Sequence, residues 1–158
     1  VALFIFRPAS NIVKRKTKEL KSQKEYAELI TQINTNAIIA VDTSFNILTF
    51  NKSAEEMFGY SADEMLNTKL IDDRIIPMKY LHRHNSGLKN FMQTGKLKYK
   101  DIVFELEGQH KDRTIFPIRI SFGIKIEEDS KIVVANIQNI TNEKEKDSLK
   151  QKIRNEFI

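Results

Sequence analysis

The chain has no cysteine and no tryptophan, and only five glycines and three prolines among its 158 residues. Without cysteine there is no disulfide, no thiolate metal site and no thiol nucleophile. Without tryptophan, no indole is available to stack on a flavin ring. Equally absent are a Gly-rich phosphate loop, a Gly-x-Ser-x-Gly turn and a His–Glu pair at metal-binding spacing. The carboxylate pairs Asp72–Asp73 and Glu127–Glu128 stand in polar, turn-like surroundings and read as solvated. Catalysis is therefore not expected of this segment. Long apolar runs are missing too: Val1–Phe6 (VALFIF) is far short of the ~20 residues that cross a bilayer.

What is present is a packable chain, 41% apolar, with a net charge of +5. The excess is local. Arg7, Lys14, Arg15, Lys16, Lys18, Lys21 and Lys24 against Glu19 and Glu25 account for all of it, and the rest of the chain is neutral. A basic patch for nucleic acid is therefore not expected on the globular part. Basic residues following an apolar run match the positive-inside pattern, so residues 1–10 read as the end of a possible transmembrane segment.

Residues 11–34 lack Gly and Pro, and Val13, Leu20 and Ala27 recur every seven positions before Leu29, Ile30 and Ile33. This predicts a linker helix with a thin apolar seam, either solvated or paired with a second helix. Ala37–Val41 reads as a buried strand, and Ile47–Phe50 as its hairpin partner after the turn formers Asp42-Thr43-Ser44. Asn51 and Ser53 offer capping oxygens to a short helix closed by Gly59, and Ser61 with Glu64 forms a capping box for another. A longer helix starts near Pro77 and ends at Gly95. Three alternating runs follow, around Ile102–Leu106, Phe116–Ile120 and Ile132–Ile140, and predict three consecutive antiparallel strands. The segment 142–158 is charged and helical in pattern, with a possible Asn142–Glu145 cap and an apolar edge of Leu149, Ile153 and Phe157.

Three motifs stand in order along this layout. They are N-x-x-A-E-x-M-F-G-Y-S from Asn51, H-N-S-G-L-x-x-F-x-x-T-G from His84, and K-D-x-x-x-F-P-I from Lys111. Together they resemble the PAS sensor family from about Ile33 to Asn142. The resemblance implies an α+β fold: a five-stranded antiparallel sheet with helices on one face, residues 35–141, flanked by N- and C-terminal helices. It implies a module that detects a small ligand, a redox state or a partner and relays it to an output domain. The ending Asn155-Glu156-Phe157-Ile158 resembles the approach to the phosphoacceptor segment of sensor histidine kinases, which implies a two-component parent on the cytoplasmic side of the cell's inner membrane. Diguanylate cyclase and chemoreceptor parents are the alternatives, and a homodimer through the flanking helices is expected. The chain departs from the family pattern twice. Asp112-Arg113 replaces Asp-Gly, so a longer or different turn is expected. Asn139-Ile140-Thr141, the expected relay to the exit helix, replaces Asp-Ile-Thr, which removes a carboxylate.

The resemblance also sets the candidate sites. Ile38, Met57, Phe58, His84, Leu88, Phe91, Met92, Ile102, Phe104, Phe116 and Ile118 are expected to line a ligand cavity, although the same residues describe an ordinary core. The cofactor is unknown. Flavin-adduct chemistry is excluded by the lack of cysteine. His84 occupies a position similar to the haem ligand of oxygen-sensing members, which makes a haem-based gas sensor one alternative. Those members tend to carry an arginine about twenty residues further on, where this chain has Phe104. A ligand-free dimerisation module is the other alternative. His82 cannot share a helix face with His84, and His110 is expected to be solvated in a turn.

Overall fold

The computed structural model describes residues 2–98 and 101–158, with residues 2–8 described by their helical backbone alone. The chain divides into two units, Val1–Ile33 and Asn34–Ile158. The first is a single helix, α1 (Ala2–Ile33). It begins at Ala2 rather than near Asn11 and runs through Pro8, since a proline removes one helical hydrogen bond without having to end the helix. Its seam is exposed at Val13, Leu20, Leu29, Ile30 and Ile33. The proposed end of a membrane span at residues 1–10 lies largely outside the described side chains. Among the described residues no helix is long and apolar enough to cross a membrane.

The second unit follows the order β1 (Ala37–Val41), β2 (Ile47–Phe50), α2 (Lys52–Phe58), α3 (Ala62–Met65), α4 (Met78–Thr94), β3 (Phe104–Gln109), β4 (Ile115–Ile126), β5 (Lys131–Asn139) and α5 (Thr141–Glu156). The strands form one antiparallel sheet in the order β2-β1-β5-β4-β3. The last strand in sequence, β5, therefore sits in the centre, paired with β1 on one side and β4 on the other. That long-range pairing closes the sheet and places the start of α5 beside β4.

Local chemistry explains the element ends. Asn51 caps α2, its side chain accepting from Ala54 N at 3.0 Å. Gly59 ends α2 at φ 78°, and a Cβ there would collide with the His110 ring. Ser61 and Glu64 make the reciprocal capping box of α3. Pro77 stands just before α4, as its N-cap residue.

Four expectations are corrected. First, β3 starts at Phe104, so Ile102 precedes the strand and is 48% exposed. The strand instead continues through Gly108 and Gln109, which pair with Phe116 and Ile115. Second, the β3–β4 turn keeps the tight geometry a glycine would give. Arg113 itself adopts φ 73°, and the turn closes through His110 N to Thr114 O at 2.9 Å. A left-handed non-glycine residue costs about 1–2 kcal/mol, and the Arg113–Asp73 ion pair at 2.8 Å offsets part of this. Third, His110 is half-buried against α2 rather than solvated. Fourth, no side chain caps α5. The oxygen of Asn139 accepts from Thr141 N at 3.0 Å and from Thr141 Oγ1 at 2.6 Å, and so sets the helix start from outside it.

Candidate functional site

The inner face of the sheet and α4 enclose a cavity of about 210 Å³. Strands present alternate residues to opposite faces. Ile39 and Val41 of β1, Val133, Ala135 and Ile137 of β5, Ile118, Ile120 and Phe122 of β4, and Phe104 and Leu106 of β3 therefore line one wall. Tyr80, Arg83, His84, Gly87 and Leu88 of α4 supply the other, with Phe58 from α2 and with Leu70, Ile75 and Ile76 from the segment before α4. Phe58 is 1% exposed, and its ring lies 5.8 Å from that of Phe116 and 6.4 Å from that of Phe50. Gly108 leaves the room these rings occupy, since a Cβ there would press on Phe116, Phe58 and Ile118 at 3.1–3.3 Å.

Of the residues expected to line a cavity, the structure brings Phe58, His84, Leu88, Phe104 and Ile118 to it. Phe91 and Phe116 are buried in the core, with Met57 and Met92 packed against its edge, and none of the four reaches the cavity wall. Ile38 is on the opposite face of β1, where Ile39 and Val41 point inward. Ile102 lies outside the strand. The β5 contribution was missed, although Asn136 and Gln138 alternate with Ala135 and Ile137 and mark the inner face.

Polar groups are few in this wall. Tyr80 donates its hydroxyl to Glu107 at 3.2 Å, and Lys79 pairs with the same carboxylate, which holds Glu107 ionised below the ordinary carboxylate range. The carboxylate thereby ties α4 to the edge strand. His84 brings an imidazole to the wall. Its Nδ1 lies 2.9 Å from Asn85 Oδ1, and Asn85 Nδ2 donates to Ile71 O at 2.9 Å.

Burial pushes the His84 pKa below its ordinary value, and the Asn85 contact opposes this. The unfolded chain therefore takes up the proton first. The contribution of neutral His84 to stability is whole above about pH 6.5 and falls away as pH drops through the lower folded-state value. Urea unfolding at about pH 8 and about pH 5.5 should show wild type losing more stability than His84→Gln over that interval. Equal losses would place His84 in a solvated setting instead.

Haem can be judged against this geometry. An imidazole that donates from Nδ1 suits iron ligation through Nε2. The space does not suit a tetrapyrrole, because about 210 Å³ is below even the ~300 Å³ at the low end for drug-sized ligands. No hydrogen-bond donor stands at Phe104, whose ring packs 5.9 Å from Phe122. Among the described residues no cluster of three metal-ligating side chains occurs.

On the outer face, Arg119 sits between the cavity-lining Ile118 and Ile120. It bonds Glu143 of α5 at 2.7 and 3.0 Å and Glu105 of β3 at 2.9 Å. Lys144 pairs with Glu105 from the same helical turn. Ile140, 1% exposed, donates its N–H to Pro117 O at 3.1 Å and anchors the strand-to-helix junction. The carboxylate that ties Arg119 to α5 is thus Glu143, while Asn139 bonds Thr141.

Comparison with known proteins agrees with the architecture. The family profile described as PAS domain matches residues 35–142. A probable serine/threonine-protein kinase of Dictyostelium discoideum is 29% identical over 86 residues, 54% of this chain and 6% of the relative. The sensor protein FixL of Bradyrhizobium diazoefficiens is 21% identical over 139 residues, 88% of this chain and 27% of the relative. The chain therefore spans a small part of either relative. Among solved structures, a PAS domain from a two-component sensor histidine kinase superposes with a TM-score of 0.59 at 14% identity, covering 76% of this chain and 98% of that one. A PAS domain from Colwellia psychrerythraea gives 0.60 at 18% identity, covering 78% and 98%.

Proposed function

The chain belongs to the PAS family, and we propose that it senses a small molecule in the cavity between α4 and the sheet and relays occupancy through α5. As a PAS sensory module it is non-catalytic. The output domain we propose is a histidine kinase, in keeping with the FixL likeness and the Asn155–Ile158 ending.

One observation carries the relay. In β4, Ile118 and Ile120 face the cavity while Arg119 between them holds the first turn of α5 through Glu143. A strand is stiff along its length, so a shift that accommodates a ligand on one face is delivered to the ion pairs on the other. Exposed pairs of this kind contribute little net stability each, so a small strand movement suffices to re-seat the helix. The exposed edge of α5, Leu149, Ile153 and Phe157, and the α1 seam then offer apolar stripes through which two copies pair in parallel. The basic residues of α1 would face anionic headgroups at the inner face of the membrane.

An alanine inserted between Thr141 and Leu149 tests the relay. It rotates the Leu149–Phe157 edge by ~100° relative to the sheet. Autophosphorylation of the full-length protein should then lose its normal setting, becoming either constitutively high or absent. An unchanged response would remove α5 as the transmission element.

A further inference from the structure

Which molecules the cavity takes follows from a chain of hydrogen bonds that begins outside it. The carbonyl of Ile71 can only accept, so the Asn85 group beside it at 2.9 Å is the NH2. That fixes the amide, and its oxygen must face His84. An amide oxygen can only accept, so His84 Nδ1 carries a hydrogen. In a neutral imidazole the other nitrogen, Nε2, is then a bare lone pair. Burial favours that neutral form, and among the described residues Nε2 makes no hydrogen bond.

Size adds a second restriction. At about 210 Å³, the cavity lies between the ~150 Å³ that encloses benzene and the ~300 Å³ where drug-sized sites begin. Two further polar side chains of its wall, Tyr80 and Glu107, are bound to each other, with Lys79 on the same carboxylate, and the rest is mostly aliphatic and aromatic. Arg83 also lines the cavity but is solvent-exposed, so an anion beside it keeps its water.

We propose that the cavity binds a one- or two-ring apolar molecule bearing a single O–H or N–H, such as a phenol or an indole, which donates to His84 Nε2. This rests on the sensory reading above and specifies its ligand class.

Phenol, anisole and benzoate form the test set: similar rings carrying a donor, a methylated acceptor and an anion. Calorimetric titration of the whole chain should show phenol binding about three- to tenfold more tightly than anisole, the ratio one net hydrogen bond supplies. The 15N resonance of His84 Nε2 should move with phenol and stay put with anisole. His84→Leu should erase the phenol preference while anisole still binds. Ala135→Leu, which fills the cavity from β5, should remain folded by circular dichroism and bind neither ring.

Equal affinity for phenol and anisole in wild type overturns the donor requirement, as does a preference for benzoate. Failure of all three probes in a folded wild type overturns the cavity assignment. A Soret band on adding haemin that disappears in His84→Leu overturns the ligand class in favour of iron. None of these outcomes alters the α5 insertion experiment, so loss of the ligand class and loss of the relay are separable.

Discussion

Replacing Asn51 with alanine is expected to remove about 3–5 kcal/mol of stability, a third or more of what a domain of this size commonly has. Asn51 is 0% exposed and ties β1, α2 and the segment before β1 together. Its oxygen accepts from Ile38 N at 2.9 Å in β1 and from Ala54 N at 3.0 Å in α2, and its NH2 donates to Asn36 O at 3.1 Å. Alanine leaves two backbone donors and a carbonyl without their partner, in a site with little access for water. Each orphaned group costs ~1–3 kcal/mol, and the loss of the cap alone costs ~1 kcal/mol. The urea midpoint should fall by roughly 2 M. Asn51→Asp should cost less, because a carboxylate still accepts from both N–H groups and suits a helix N-terminus. A loss under about 1 kcal/mol for Asn51→Ala would mean that the β1–α2 junction is held by packing alone.

The second large effect is at Phe58. Phe58→Ala should destabilise the sensory unit by about 3–5 kcal/mol, because the ring is fully enclosed by Phe50, Phe116 and the space over Gly108. The void it leaves opens directly into the cavity between α4 and the sheet, whose wall Phe58 helps to form. Stability and selectivity should therefore change together. A variant recovered at low temperature should accept ligands one ring larger than wild type accepts. Chemical denaturation measures the first effect and calorimetric titration with a larger phenol measures the second. A destabilised variant with unchanged size selectivity would separate the Phe58 contact from the cavity.

These two residues also show how unevenly the site could be read in advance. Asn51 and Phe58 announce themselves in sequence, one as a capping side chain before a helical run and the other as the apolar residue ahead of a terminating glycine. AIIAV is apolar throughout, and such a run has no phase from which to tell Ile38 from Ile39 as the inward residue. Ile102 was included because it continues the alternation of Phe104 and Leu106, and nothing in that pattern says where the ladder begins. Arg119 was overlooked altogether. Its partners lie 14 and 24 residues away, and no local spacing rule connects a mid-strand arginine to a glutamate on the following helix.

Sequence alone determined the order of elements, the caps of α2 and α3 and the family. All of these depend on neighbours a few residues apart, where backbone sterics and short side-chain hydrogen bonds dominate. Tertiary structure decided which face of β1 turns inward, that β5 supplies a wall of the cavity, and that His84 Nδ1 lies beside the Asn85 side-chain oxygen. It also decided that Arg113 takes a left-handed turn beside Asp73. Those features arise only when strands 100 residues apart pair and α4 closes over them. Pairing register, cavity volume and a hydrogen-bond relay from Ile71 to His84 are properties of groups meeting in space.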